Sequence, residues 1–283
     1  GAALRECDFL EDEFFVINSD VIVSTGDLER LKDKHEREES VATVLASDES
    51  KPEKFGVLSI VNDRVKEIVE KPEEAENSLV NTGIYVLGPD IFESLEKTDS
   101  PDLTDGFSDL LEGKVRFEIV SDYWYDIGSL KKLWKADRVK REDVLQDSRI
   151  SDEADIHDSL EIDGRATIKK NARIKANVVL EGDVIIGEEA VIGPNTVIED
   201  STVNERSQVR DATVEGCLLF ENNIVDPHVH LEHTVAAEDV DVKSGTVITE
   251  SFLGAEAFVE MNNSVRGVKF VPNGRTDLSE ISK

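Results

Sequence analysis

Three short segments of the 283-residue chain bring together side chains that could do chemistry. Asn18-Ser19-Asp20 closes an apolar strand with a carboxylate, and an acidic group at the C-terminal end of a strand in an α/β sheet sits where ligands usually bind. Glu70-Lys71-Pro72 ends another run with opposite charges side by side and a proline that blocks extension. Trp124-Tyr125-Asp126-Ile127-Gly128 sets a carboxylate between aromatic bulk and a glycine that can take positive φ. Each segment also has a plain structural reading: a capping aspartate, an exposed turn, and aromatic core followed by a turn.

A second candidate is the run Asp226-Pro227-His228-Val229-His230-Leu231-Glu232-His233, where alternation would place His228 and His230 on one face of a strand as a metal pair or a general base. Exposed imidazoles on a charged surface are the competing reading. Cys7 and Cys217 are too few and too far apart for a disulfide framework or a zinc site and read as buried or incidental thiols.

The elements that must hold these residues fall into two halves. From Asp8 to Val139 strand-like runs alternate with helix-like stretches, the pattern of an α/β domain. Phe14 to Val23 reads as a buried strand running into a turn, Leu28 to Glu39 as an amphipathic helix and Val41 to Ala46 as a strand. Phe55–Ile60 and Arg64–Val69 flank the turn pair Asn62-Asp63 and predict a hairpin. Asn81–Leu87 follows as a strand, and Pro89 can start a helix over Asp90–Glu96.

From Ile162 the period changes. Ile162, Ile168, Ile174, Leu180, Ile186, Ile192 and Ile198 recur every six residues, each followed four residues later by Ala166, Ala172, Val178, Val184, Ala190, Thr196 and Thr202. A three-sided coil requires that period: one aliphatic points inward per rung and one small residue lies near each corner, and stacked coils bury a column that no single coil could. At about 18 residues per coil, Ile162 to Val259 predicts roughly five to six coils. The expected division is a first domain over 1–139, a charged linker over 140–159, the repeat domain over 160–262 and a cap or tail over 263–283.

Composition bounds what such a chain can do. Against 32 basic residues stand 62 acidic ones, a formal net charge of −30, which argues against nucleic-acid binding through a basic face. An excess spread along the whole chain is self-repelling in dilute buffer and screened at molar salt, as expected for a high-salt cytoplasm; an ordinary acidic protein is the alternative. No run approaches the length of a membrane span and no secretory leader opens the chain, so a cytoplasmic location without membrane association is expected.

The hexads Ile186-Gly187-Glu188-Glu189-Ala190-Val191 and Ile192-Gly193-Pro194-Asn195-Thr196-Val197 resemble the left-handed parallel β-helix. Taken in order, the Asp20, Glu70-Lys71-Pro72 and Asp126 segments, with Phe55-Gly56-Val57, Asn81-Thr82-Gly83-Ile84-Tyr85, Leu103-Thr104-Asp105 and Asp277-Leu278-Ser279-Glu280-Ile281, resemble the sugar-1-phosphate nucleotidylyltransferase family. The likeness is to its long glucose-1-phosphate thymidylyltransferase type, which ends in such a β-helix.

That resemblance implies a partial Rossmann-like nucleotidyltransferase domain followed by the β-helix. It implies Mg²⁺ held by Asp20 and Asp126, with Asp20 and Lys71 as catalytic residues. Glu70 would accept hydrogen bonds from sugar hydroxyls, Lys71 would lie beside the sugar phosphate, Gly56 and Asn81 would line the sugar pocket, and Gly83 would let the backbone approach. The implied reaction is attack of a sugar 1-phosphate oxygen on the α-phosphorus of dTTP or UTP, giving nucleotide-sugar and pyrophosphate. The family's glycine-rich G-x-G-T-R-L loop is not found here, the chain opening at Gly1-Ala2-Ala3-Leu4-Arg5. The expectation is a fragment or a truncated paralogue that binds the sugar half of the site better than the nucleotide half. Alternatives are a catalytically incomplete assembly or regulatory scaffold and a β-helix acyltransferase. Family habit suggests a homo-oligomer, a trimer through the β-helix being favoured.

Overall fold

A computed structural model describes residues 3–97, 103, 114–271 and 274–277. The chain divides after Gly128 into two units, Gly1–Gly128 and Ser129–Lys283. The quoted residues Gly1, Ala2, Thr104, Asp105 and Leu278 to Ile281 lie outside the described residues.

In the first unit the elements run β1 (Phe14–Ile17), β2 (Val21–Val23), α1 (Thr25–Arg37), β3 (Ala42–Asp48), β4 (Gly56–Val61), β5 (Arg64–Glu70), β6 (Leu79–Leu87), α2 (Ile91–Glu96), β7 (Val115–Ile119) and β8 (Trp124–Asp126). Among the described residues a six-stranded sheet is ordered β5-β4-β6-β3-β7, with β1 also on β6. Only β3 and β7 in it run parallel; the other pairs are antiparallel. The sheet is therefore mixed, because the β4–β5 hairpin and the returns to β6 reverse the chain where helical crossovers would keep it parallel.

Strand β3 is central and its first six residues are buried. Alternation sends Ala42, Val44 and Ala46 to a core shared with Leu87, Ile91 and Leu95, and sends Leu45 to a core shared with Leu31 and Ile84. The hairpin turn has Asn62 at φ 50° and Asp63 at φ 63°, two successive left-handed residues as a two-residue hairpin loop demands. The run from Phe14 to Val23 is not one strand. It breaks at Asn18–Asp20, where the chain leaves the large sheet, β1 pairing with β6, and enters a separate pair formed by β2 and β8.

The second unit opens with α3 (Leu130–Val144), capped by the Ser129 hydroxyl, which accepts from the Lys132 N–H. The 140–159 stretch, expected to be a linker, holds the end of α3 and two short strands, Arg149–Ile150 and Asp155–Ile156. These pair in parallel with Thr167–Ile168 and Arg173–Ile174, so the solenoid begins before Ile162. One face stacks seven strands, from Asp155–Ile156 to Phe258–Val259. Six of them lie between Ile162 and Val259, in line with the five to six coils expected over that span, and the seventh, Asp155–Ile156, precedes it. Beyond 262 the coil continues through Ser264–Arg266, and Val268–Val271 pairs antiparallel with Gly274–Asp277.

This unit is the left-handed parallel β-helix the hexads predict. Ile168, Ile174, Leu180, Ile186, Ile192 and Ile198 are all buried inward, as are the corner residues Ala166, Ala172, Val178, Val184, Ala190 and Thr196. Thr202 departs from its expected corner. Val179 pairs with Val197, eighteen positions on, whereas Ile185 pairs with Thr202, seventeen positions on, so this coil has lost a residue and Ser201 takes the corner. Ser201 Oγ donates to Glu199 O at 2.6 Å and accepts from Cys217 N at 2.9 Å. Cys217 and Thr234 repeat the arrangement in later coils, each giving its hydrogen to the carbonyl two residues back. Side-chain groups thus satisfy the N–H groups that shortened corners expose. That is why the strict hexad fades after Ile198. Thr202 instead faces α3 and donates to Asp137 at 3.0 Å, beside the Asp137–Arg141 ion pair.

Candidate active site

The seven residues singled out in the sequence, Asp20, Gly56, Glu70, Lys71, Asn81, Gly83 and Asp126, all line one open cleft of about 240 Å³ in the first unit. Strand ends converge there. Asp20 precedes β2 and Asp126 closes β8; Val21 pairs with Asp126, and the Ile127 N–H donates to Asp20 O at 2.6 Å. The two aspartates are thus diagonal neighbours on an antiparallel pair although more than a hundred residues separate them in the chain.

Gly56, starting β4, pairs with Glu70, ending β5, and the Lys71 N–H donates to Phe55 O at 3.0 Å. A Cβ on Gly56 would come within 2.7 Å of Glu70 Oε1, so the missing side chain is what lets the carboxylate fold over the strand end. Gly83 has φ +77°, and a Cβ there would lie 2.2 Å from Asn18 Nδ2. Its carbonyl accepts from the Asn18 N–H at 3.0 Å, which fastens the Asn18–Asp20 turn to β6.

The Asn81 carboxamide is aimed by two bonds: Nδ2 donates to Tyr85 Oη at 2.7 Å and Oδ1 accepts from the Gly83 N–H at 3.1 Å. Burial pushes the Tyr85 phenol up to about 12, against the lowering effect of the Asn81 amide and with the Glu70 charge adding to the rise. It therefore stays protonated as a polar anchor. Trp124 donates through Nε1 to Thr82 O at 3.1 Å and meets Phe55 edge-on with ring centroids 5.7 Å apart, giving the cleft an apolar wall.

Beneath β8 lies an anchor that sequence reasoning missed. The buried Asp27 carboxylate, in the first turn of α1, accepts from Ser24 Oγ at 2.7 Å, Ser121 N at 2.8 Å and Asp122 N at 3.2 Å, and it pairs with Arg30. Burial by itself would raise its pKa, but these donors together outweigh burial and hold the carboxyl below its ordinary value. The network grips the segment leading into Asp126. Asn18, Lys54, Phe55, Thr82 and Trp124 also line the cleft without having been assigned roles. The visible signal was proximity, each standing within two residues of a singled-out position.

The donor set suits Mg²⁺: two carboxylates supply hard oxygens, leaving room for the waters and phosphates such an ion retains. Among the described residues no three His, Cys, Asp or Glu side chains gather as a metal cage. The histidines do not share a strand face either. His228 sits in a left-handed turn at φ 63° with Asp211 3.5 Å away, only His230 belongs to a strand, and His233 packs edge-on against Trp134. No helix among the described residues is long and apolar enough to cross a membrane.

Residues 2–142 match the nucleotidyl transferase family and residues 162–268 match the GMPPB C-terminal domain. The chain belongs to the sugar-1-phosphate nucleotidyltransferase family. It is 36% identical over 134 residues to the bifunctional protein GlmU of Methanocaldococcus jannaschii, covering 45% of this chain and 31% of that protein. It is 32% identical over 127 residues to the mannose-1-phosphate guanyltransferase of Candida albicans, covering 43% and 34% respectively. A solved structure assigned as a glucose-1-phosphate thymidylyltransferase from Bacillus anthracis, in complex with a sucrose, aligns with a TM-score of 0.46 at 29% identity, covering 50% of this chain and 60% of that one. The chain spans about a third of the length of the curated relatives it matches.

Proposed function

We propose that the protein takes part in Mg²⁺-dependent nucleotidyl transfer to a hexose 1-phosphate, releasing pyrophosphate. The observation that carries this reading is the convergence of Asp20, Asp126, Glu70 and Lys71 on one cleft of a nucleotidyl transferase-family unit. Asp20 and Asp126 would hold the ion, which when bound neutralises charge on phosphoryl oxygens. Lys71 lays an ammonium beside the phosphate of the sugar and keeps it close to its target. Glu70, folded over Gly56, accepts hydrogen bonds from ring hydroxyls, and the remaining N–H of the Asn81 carboxamide donates to another. Trp124 and Phe55 meet the apolar face of the ring. The sugar phosphate is its own nucleophile, so these residues act by positioning and by neutralising charge.

The sugar and base are finer questions. Glucose 1-phosphate with dTTP or UTP is the pairing implied by the long thymidylyltransferase resemblance. The names of relatives divide, one being a mannose-1-phosphate guanyltransferase, which suggests guanylyl transfer onto mannose 1-phosphate, and another the bifunctional protein GlmU. Incubating the protein with Mg²⁺, each of four nucleoside triphosphates and either hexose phosphate, then separating products by anion exchange, distinguishes these. A nucleotide-sugar peak that requires Mg²⁺ and disappears in Asp20→Asn is the expected result; sugar-phosphate binding without any product would sink the enzymatic reading and favour a binding scaffold.

A further inference from the structure

The cleft contains a second cation. Lys54 ends the 3₁₀ turn Pro52–Lys54, whose geometry is set by the Lys54 N–H donating to Lys51 O at 3.3 Å and the Phe55 N–H to Pro52 O at 3.0 Å. Because the Lys71 N–H is bonded to Phe55 O, Lys54 and Lys71 are held at adjoining points of the same rim. Among the described residues neither lysine enters an ion pair. Other described lysines, Lys51 and Lys66 among them, are likewise without an ion-pair partner; what distinguishes Lys54 and Lys71 is that both line this cleft. Two ammoniums without carboxylate partners on one rim suit an anionic ligand.

The charges of the cleft show what Lys54 adds. Asp20, Glu70 and Asp126 against Lys54 and Lys71 leave one net negative charge, and a bound divalent cation would turn that into one positive. Without Lys54 the loaded cleft would be neutral and would not attract a dianion over distance. A phosphate monoester offers three unbridged oxygens, more than one ammonium can satisfy.

We infer that Lys54 is a phosphate-binding residue which, with Lys71, forms a two-pronged clamp on the phosphoryl group of the hexose 1-phosphate. The inference rests on the proposed function and extends it to a residue that reading does not use. Isothermal titration in Mg²⁺ with glucose 1-phosphate, mannose 1-phosphate and inorganic phosphate tests it. Lys54→Met is expected to weaken hexose 1-phosphate binding about tenfold, the scale of a lost charge-assisted hydrogen bond, and to make it less sensitive to salt. Lys54→Arg should restore affinity to within about twofold. Lys51→Met, an exposed lysine outside the cleft, should change nothing. Equal affinity in Lys54→Met and the parent overturns the clamp, as does an equal loss in Lys51→Met or an inorganic phosphate affinity that Lys54→Met leaves unchanged. Failure of the parent to bind either hexose phosphate is a different result: it overturns the proposed function and takes the clamp with it.

Discussion

The two units bury their apolar side chains by opposite means. In the β-helix each inward residue stacks on its counterpart in the next coil: Ile168 on Ile186, Ile186 on Val203. Burial there is written as a period. In the first unit the contacts join distant parts of the chain, Phe14 stacking on Phe92 and Leu31 meeting Leu45 and Ile84. The repeat thus makes a stiff scaffold whose coils are nearly interchangeable, while the irregular unit can bring Asp20, Glu70 and Asp126 to one place. A regular stack supports length; a chemical site needs different residues to arrive from different strands.

The contrast is open to attack, beginning with the largest effect. Asp126→Asn removes charge without changing shape and should lower Mg²⁺-dependent nucleotide-sugar formation roughly a hundredfold or more. Its thermal unfolding should match the parent; a comparable loss of stability would mean the residue serves the fold. Ile186→Ala, fully buried in the β-helix, should cost about 3 kcal/mol on denaturant unfolding and leave hexose phosphate affinity untouched. A shift in that affinity would show the scaffold to be coupled to the cleft.

Asp27 sharpens the difference from the other side, since it is structural yet belongs to the site-bearing unit. Asp27→Asn should destabilise by about 3 kcal/mol near neutral pH, because the Ser121 and Asp122 N–H groups lose a charged acceptor and Arg30 its partner. With the folded pKa below the ordinary 3.8, its stabilisation is fully present above that pH and is lost as pH falls through the lower folded value. The Asn variant should therefore show a shallower loss of stability below pH 3.8 than the parent. Equal acid profiles would contradict that assignment. Smallest is Ser201→Ala, expected to cost about 1 kcal/mol by leaving Cys217 N without its acceptor; no change in unfolding would mean another group replaces the hydroxyl.

How much of this was legible follows the same division. The buried Ile columns and Ala corners can be read directly, because a period of six has one simple geometric solution. The end of that legibility is also physical. At Ser201 and Cys217 a polar group replaces a missing turn residue, and no apolar pattern records such an exchange. The hairpin over Asn62-Asp63 was legible from turn chemistry. The break between β1 and β2 was not, since an apolar run on either side of Asn18–Asp20 looks the same whether it stays in one sheet or crosses to another. Lys54 and Asp27 were silent for a related reason: each is an ordinary charged residue in an ordinary helix or turn until a distant strand is laid against it.

The sequence by itself determined the class of each half and the rung positions of the solenoid, since both depend on local spacing and side-chain chemistry. Only the tertiary structure decided that the strand following Asp20 pairs with the one ending in Asp126, that Gly56 makes room for Glu70, and that Lys54 and Lys71 line one cleft. Those facts depend on which strands hydrogen-bond to which. Pairing between distant segments is settled by the packing of the whole sheet, and no single stretch of chain contains it.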